Sequence, residues 1–212
     1  MRKDAAQRER SADMNGNLAY DASCGPEPME REPWREELIG GKWVAMSPAR
    51  TNHNRIKSNI NSLFWNFLKD RTCEVLPDGE AVYLTETDYY YPDVMVVCDP
   101  DKIREDGVYG APDLVVEVLS PGTVRYDRGR KMKLYAQCGV REYWLVTPSE
   151  KVVEQYLPEN GVFVLHDSFA LHPDWELKRM KPEELAAVRT EFRCSLYDDL
   201  TIRLEDIFLN VT

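Results

Sequence analysis

Glu117 stands inside one of the most apolar runs of the chain, Leu-Val-Val-Glu-Val-Leu over residues 114–119. An ionised carboxylate in an apolar strand is costly unless a cation pairs with it or it holds a metal ion. Asp93 is a second candidate, because it follows Pro92 and directly precedes the apolar run 94–98. If the two runs form neighbouring strands, both carboxylates converge at one edge of a sheet.

Lys131 is the third candidate. It lies in the helix predicted over about residues 126–138, on a stripe that it shares with Leu134 and Tyr135. This stripe is expected to face the interior next to the Glu117 strand. Two carboxylates and a lysine at one sheet edge are suited to a Mg²⁺ site with a positive partner for a phosphate or a nucleophilic water.

Each candidate also has a purely structural interpretation. Glu117 and Lys131 could form a buried salt bridge without a catalytic role. Asp93 after Pro92 could shape a turn, and Lys131 could extend from a half-buried position to solvent. The combination of the three residues, rather than any one of them, favours chemistry.

Apolar periodicity predicts the elements that position these residues. Ile56, Ile60, Phe64 and Leu68 fall on one stripe of an amphipathic helix over about residues 51–70, and His53 projects to the same side. Strands are predicted at 42–46, 81–84, 94–98, 114–119 and 142–146, with a hairpin at 152–156 and 162–165 and a short strand and helical turn within 196–209. The order of elements predicts an α/β fold in which helices flank a mixed β-sheet with hairpins at its edges.

Composition limits the classes of protein that this chain can belong to. It has 212 residues, 37 acidic and 27 basic, with a net charge of −10. We expect a flexible tail over 1–32 and a single domain over 33–212. No apolar run is long enough to span a membrane, and the acidity argues against a nucleic-acid coat protein. The five cysteines lack paired spacing, so a zinc site or a disulfide framework is not expected, and a reducing cytoplasmic location fits.

Several irregular positions resemble one protein family at fixed spacing. They are Tyr91-Pro92-Asp93-Val94, the segment 111–121, Asp127 with Lys131 and Tyr135, and the segment 139–146. Together they resemble the Uma-two family of restriction endonucleases, whose fold is similar to that of PD-(D/E)xK nucleases. The resemblance runs from about residue 36 to residue 208. It implies a restriction-endonuclease-like core and a Mg²⁺-dependent nuclease.

The resemblance also implies roles for individual residues. Asp93 corresponds to the aspartate of the motif and Glu117 to the second metal ligand. The superfamily pattern places a lysine where Leu119 stands, and Lys131 on the following helix matches the family's basic position. His53 corresponds to a family histidine that lies near the site.

The mechanism expected from both lines of reasoning is metal-assisted hydrolysis of a phosphodiester bond. Asp93, Glu117 and the carbonyl of Val118 would hold one or two Mg²⁺, or Mn²⁺ in their place. Lys131 would orient the attacking water or stabilise charge on the phosphate. Ser120 and Tyr135, with the family histidine, are candidates for lining the site.

A basic cluster follows the Glu117 strand. Arg125, Arg128, Arg130 and Lys133 form the densest positive segment of the chain, and they could bind the phosphates of DNA or form a solvated helix face. Asp127 between them is expected to cap the helix. A homodimer would suit the cutting of both strands. The alternative function is a binding or assembly module that keeps the nuclease fold without cutting.

Overall fold

A central sheet of six strands runs through the computed structural model, which describes residues 35–46 and 49–212. The predicted tail over 1–32 lies outside the described residues. The strands of the central sheet are, in spatial order, β12 (Val162–Ala170), β11 (Val152–Glu159), β10 (Glu142–Thr147), β9 (Leu114–Val118), β6 (Val94–Val97) and β3 (Glu74–Pro77).

The middle of this sheet is buried on both faces. All residues of β9 and β6 are buried, as their unbroken valine-rich sequences predict. β9 runs parallel to β10 and antiparallel to β6, with Val94 opposite Val116. The start of β6 and the end of β9 therefore meet at the same edge, which is the arrangement that the two candidate carboxylates require.

A second six-stranded sheet covers one face of the central sheet. Its strands are, in spatial order, β2 (Lys42–Ala45), β1 (Glu36–Ile39), β5 (Asp88–Tyr90), β4 (Val82–Thr85), β8 (Gly107–Tyr109) and β7 (Ile103–Arg104). Val82, Tyr90 and Val108 of this sheet pack with Met95 and Val115 of the central sheet in one apolar cluster. A separate two-stranded sheet consists of β13 (Glu191–Arg193) and β14 (Thr201–Arg203).

Two helical segments position the site. α1 (Thr51–Leu68) packs Ile56, Ile60 and Phe64 against the central sheet. On the opposite face a helical run consists of α2 (Val124–Tyr126), a π-helical turn (Asp127–Lys131) and α3 (Met132–Cys138). The shorter helices are α4 (Asp174–Leu177), α5 (Pro182–Ala187), α6 (Leu204–Ile207) and a 3₁₀ turn (Pro100–Lys102).

The predicted α/β fold with a mixed sheet, flanking helices and an edge hairpin is confirmed. The hairpin is longer than expected, because its strands continue to a two-residue turn at Asn160-Gly161, where both residues have positive φ. The second sheet was anticipated only in part. β2 and β4 match the strands predicted at 42–46 and 81–84, whereas the other four strands, of only two to four residues each, were not identified. Within the described part of the chain, no helix combines the length and apolarity needed to cross a membrane.

The expectation that the cysteines form no disulfide framework does not hold for one pair. Cys73 and Cys98 form a disulfide. The pairing of β3 with β6 places Glu74 opposite Val97, and continuing this register brings the two cysteines together. They lie 25 positions apart in the chain, so only the strand pairing reveals their proximity.

Candidate functional site

Asp93 and Glu117 lie at the same edge of the central sheet. Continuing the register of Val94 with Val116 by one residue places the two acids opposite each other on β6 and β9. Directly opposed residues on antiparallel strands point to the same face. Both residues are buried, so the sheet brings two acidic groups together with little water to screen them.

Asp93 is held from two sides. Its Oδ2 accepts a hydrogen bond from the backbone N–H of Val118 at 2.7 Å, and its Oδ1 lies 2.9 Å from Nε2 of His53 on α1. In an extended strand the N–H and C=O of one residue point to the same side. The Val118 carbonyl, predicted as a metal ligand, therefore faces the side on which Asp93 lies.

The ammonium of Lys131 lies among three carboxylates. Its Nζ is 2.7 Å from Oε1 of Glu37, 3.3 Å from Oε1 of Glu117 and 3.5 Å from Oδ1 of Asp127. Tyr135 donates its hydroxyl proton to Oε1 of Glu117 at 3.1 Å. The predicted interior position of Lys131 next to Glu117 is confirmed, and it does not extend to solvent.

Burial and charge oppose each other in this cluster. Burial raises the pKa of Glu117 well above its ordinary value, and Lys131 acts to lower it while Asp127, Asp93 and Glu37 raise it further. Burial alone would lower the pKa of Lys131, but Glu117, Glu37 and Asp127 raise it well above its ordinary value. The lysine therefore stays charged, whereas the raised pKa of Glu117 means that one ammonium does not fully offset the burial of this carboxylate.

Asp127 belongs to the cluster rather than to a helix cap, so the expectation that it caps the helix is wrong. The helical run begins at Val124, and Asp127 has helical backbone angles inside it. The cap interpretation failed because the π-helical turn extends the helix toward the strand and points Asp127 inward, where it is fully buried. Burial raises the pKa of Asp127, and Lys131 acts against this rise.

Two further residues of the site were not identified from the sequence. Glu37 accepts a hydrogen bond from the N–H of Tyr91 at 3.0 Å, in addition to its ion pair with Lys131. Lys57 lies 3.5 Å from Oδ1 of Asp93. Sequence patterns could have identified both residues. Glu37 shares a strand face with the buried Ile39, and Lys57 follows His53 by four positions on α1, so the two side chains lie on the same face of this helix.

The remaining predicted residues lie around this centre. Tyr135 contacts Glu117 directly, whereas the hydroxyl of Ser120 pairs with that of Thr123 at 3.0 Å at the start of the helical run. The basic residues Arg125, Arg128, Arg130 and Lys133 are all exposed.

Two of these arginines already have acidic partners. Arg128 pairs with Glu154, and Arg130 makes two hydrogen bonds to Asp88, of 2.9 and 2.8 Å. A role of the basic cluster in phosphate binding stays a prediction, and a phosphate would have to compete with these carboxylates.

The comparison with family models identifies the chain. Residues 19–188 match the Uma2 family, described as "Putative restriction endonuclease". The chain belongs to the Uma2 family. The resemblance inferred from the motif spacing is thereby confirmed, and the matched range includes the candidate residues from Glu37 to Lys131.

Two curated relatives and a solved structure resemble this Uma2 chain. "Uncharacterized protein slr1290" of Synechocystis sp. (strain ATCC 27184 / PCC 6803 / Kazusa) is 36% identical over 129 residues, which cover 60% of this chain and 68% of the relative. "Uncharacterized protein sll1609" of the same strain is 29% identical over 131 residues, covering 60% and 74%. A crystal structure of "a putative nuclease belonging to DUF820" from Anabaena variabilis ATCC 29413 has a TM-score of 0.61 at 21% identity, covering 84% of this chain and 92% of that one. This structural likeness supports the fold.

Proposed function

We propose that this Uma2 chain is a Mg²⁺-dependent endonuclease that hydrolyses phosphodiester bonds in DNA, with Mn²⁺ able to replace Mg²⁺. The observation that carries the proposal is the juxtaposition of Asp93 and Glu117 across β6 and β9, beside the buried Lys131. The family supports a nuclease, and the substrate, the metal and the residue roles are our inference.

The charges and donor atoms of the site fit a divalent cation. Four buried carboxylates, those of Glu37, Asp93, Glu117 and Asp127, face two lysines, Lys57 and Lys131. With all six groups ionised the formal charge is −2, which one divalent ion balances. A bound cation would also lower the raised pKa values of Glu117 and Asp127.

Free acceptor atoms support the same fit. Both hydrogen bonds that Glu117 accepts from described residues reach its Oε1, which leaves the lone pairs of Oε2 for a metal. Oδ1 of Asp127 is buried and accepts no hydrogen bond from the described part of the chain, with the Lys131 ammonium 3.5 Å away as an ion-pair partner. The unsatisfied oxygens are of the hard type that Mg²⁺ prefers.

Two carboxylates and one carbonyl are the protein ligands that we infer for the ion. Among the described residues, no three His, Cys, Asp or Glu side chains form a preformed metal-binding group. Mg²⁺ commonly binds through one or two carboxylates and completes its shell with water and substrate phosphate. Asp93, Glu117 and the carbonyl of Val118 would hold it, and the ion would polarise the scissile phosphate and lower the pKa of a bound water.

The protein's own groups hold these ligands in place. The N–H of Val118 and the ring of His53 fix Asp93 from two directions. Lys131 and Tyr135 fix Oε1 of Glu117. Because the Lys131 ammonium is enclosed by carboxylates, its geometry supports a positioning role that orients Glu117 and offsets part of the rise in its pKa, more than direct contact with the phosphate.

The test is cleavage together with metal binding. Purified protein is incubated with plasmid, single-stranded DNA and RNA in Mg²⁺ or Mn²⁺, and divalent-metal binding is measured by calorimetry. We expect cleavage of DNA and a binding heat that are both lost in Glu117→Gln and both kept in Glu191→Gln, which changes an exposed acid of the separate two-stranded sheet. A wild-type protein with neither cleavage nor a metal heat would refute the proposal and favour the non-catalytic module.

A further inference from the structure

A second group of charged side chains lies on the α1 side of Asp93. Lys57 contacts two carboxylates, Oδ2 of Asp78 at 2.9 Å and Oδ1 of Asp93 at 3.5 Å. Arg35 Nη1 approaches the other oxygen of Asp78 at 3.5 Å. Asp78 thus bridges two cations directly beside the proposed metal ligand Asp93.

The side chains of this group are more exposed to solvent than the side chain of Lys131. The side chain of Lys131 is 3% exposed, whereas those of Lys57, Asp78 and Arg35 are 11%, 36% and 54% exposed. A substrate phosphate approaching Asp93 from solvent therefore meets Lys57 and Arg35 before it could reach Lys131. Of the two buried lysines, Lys57 is the one placed to contact a phosphate oxygen.

Asp78 occupies the position between the two cations. It lies in the turn after β3, followed by Gly79, whose φ is +116°. A Cβ on Gly79 would lie 3.3 Å from the guanidinium of Arg35, so the turn brings the backbone close to this arginine. The guanidinium also lies 5.6 Å from the ring centre of Tyr91, which keeps it near the strand that leads to Asp93.

We propose that Lys57 and Arg35 form a phosphate-binding subsite next to Asp93, and that the carboxylate of Asp78 occupies this subsite when nucleic acid is absent. The inference rests on the nuclease function proposed above. Guanidinium and ammonium groups bind carboxylate and phosphate oxygens through the same charge-assisted hydrogen bonds. The pair of Arg35 with Asp78 has exposed partners and contributes little net stability. The buried Lys57 keeps Asp93 as a second carboxylate partner when a phosphate takes the place of Asp78.

The proposal predicts effects of opposite sign for the two partners of one ion pair. Asp78→Asn removes the competing charge while it keeps the shape, so DNA should bind about fivefold more tightly. Lys57→Met removes a phosphate contact, so DNA should bind more weakly, and the slope of log K against log salt should fall by about one. A purely structural ion pair would show no gain of affinity in either variant.

The experiment measures the affinity of a fluorescein-labelled 20-base-pair DNA by anisotropy in EDTA, where metal-dependent cleavage is switched off. Asp199→Asn is the matched control, because Asp199 is an exposed partner of Arg71 at 2.7 Å, and Arg71 follows the C-terminal end of α1, opposite the end that carries His53. Arg35→Met is a second variant that removes a cation of the subsite. Because Arg35 is exposed, this variant tests the subsite even if Lys57→Met does not fold.

Tighter binding by Asp78→Asn, unchanged binding by Asp199→Asn and weaker binding by the cation variants support the subsite. Equal affinities of Asp78→Asn and wild type, or no measurable binding by either, overturn it. A wild type that cleaves DNA while Asp78→Asn shows no gain refutes the subsite alone. If Asp78→Asn gains affinity but the wild type does not cleave DNA, the subsite is supported and the endonuclease function is refuted.

Discussion

Replacement of Lys131 by methionine tests the charge balance at the centre of the site. Methionine has a similar shape without the charge, and three carboxylates, those of Glu37, Glu117 and Asp127, then lose their shared cation. Breaking a buried ion pair by removal of one partner costs about 3–5 kcal/mol. We expect a loss in this range from the free energy of unfolding of Lys131→Met at pH 8.

The loss should depend on pH in a defined direction. Burial already raises the pKa of Glu117 in the folded protein, so the folded state binds more protons than the unfolded state between the two pKa values. Stability therefore falls as pH rises through that interval. Without Lys131 the pKa of Glu117 in the folded state rises further. At pH values above this raised pKa, each added pKa unit lowers the free energy of unfolding by about 1.4 kcal/mol. The difference between wild type and variant should be smaller at pH 5 than at pH 8.

Urea unfolding followed by circular dichroism at both pH values measures this difference. Lys133→Met is the control, because Lys133 is exposed on the same helical run and should change the free energy of unfolding by less than about 0.5 kcal/mol. A loss for Lys131→Met below about 1 kcal/mol at pH 8, or a loss that is the same at both pH values, would contradict the assigned role of the buried lysine.

Three other predictions concern the scaffold around the site. The fully buried Glu142 accepts hydrogen bonds from the N–H and the hydroxyl of Ser195 at 2.7 and 2.5 Å. Because Glu142→Ala leaves these donors without a partner, it should lower the free energy of unfolding, measured by urea titration, by about 3 kcal/mol or more. Gly40→Ala should cost about 1–2 kcal/mol in the same assay, since Gly40 has φ +61° and its Cβ would lie 2.8 Å from Arg130; an unchanged urea midpoint would refute this. Burial alone would raise the pKa of Asp88, but Arg130 and other hydrogen-bond donors lower it well below its ordinary value. The ion pair of Asp88 with Arg130 therefore stabilises the fold above about pH 4, and this contribution is lost as pH falls further. Arg130→Met should therefore shift the urea midpoint at pH 7 more than at pH 3, and equal shifts would speak against the pairing.

The sequence predicted the parts of the site that interrupt an apolar pattern. Glu117 stands out because it breaks a strand that is otherwise apolar, and Asp93 because it directly precedes another such strand. Their pairing followed from the expectation that the two strands are neighbours, which the register of β6 and β9 confirms. Lys131 was found because it falls on the interior stripe of a helix.

The other site residues lie in patterns that surface segments share. Lys57 and Asp78 meet only because β3 follows α1 and turns back toward it. Asp127 has the position of an ordinary helix cap until the π-helical turn is known. Glu37 belongs to a four-residue strand that pairs with the adjacent β2 and is joined to the rest of its sheet through β5, about 50 positions further along the chain. Such contacts depend on tertiary packing, which local periodicity does not report.

The π-helical turn at Asp127–Lys131 sets which side chains of the helical run share a face. A π turn accommodates one residue more than a regular α-helical turn. Asp127 and Tyr135, eight positions apart, both reach the surroundings of Lys131 and Glu117. In a regular α-helix, at about 100° per residue, the same two positions would point about 80° apart. We expect homologues to tolerate exchanges at the outward positions of this turn far better than substitutions that convert it into regular α-helix.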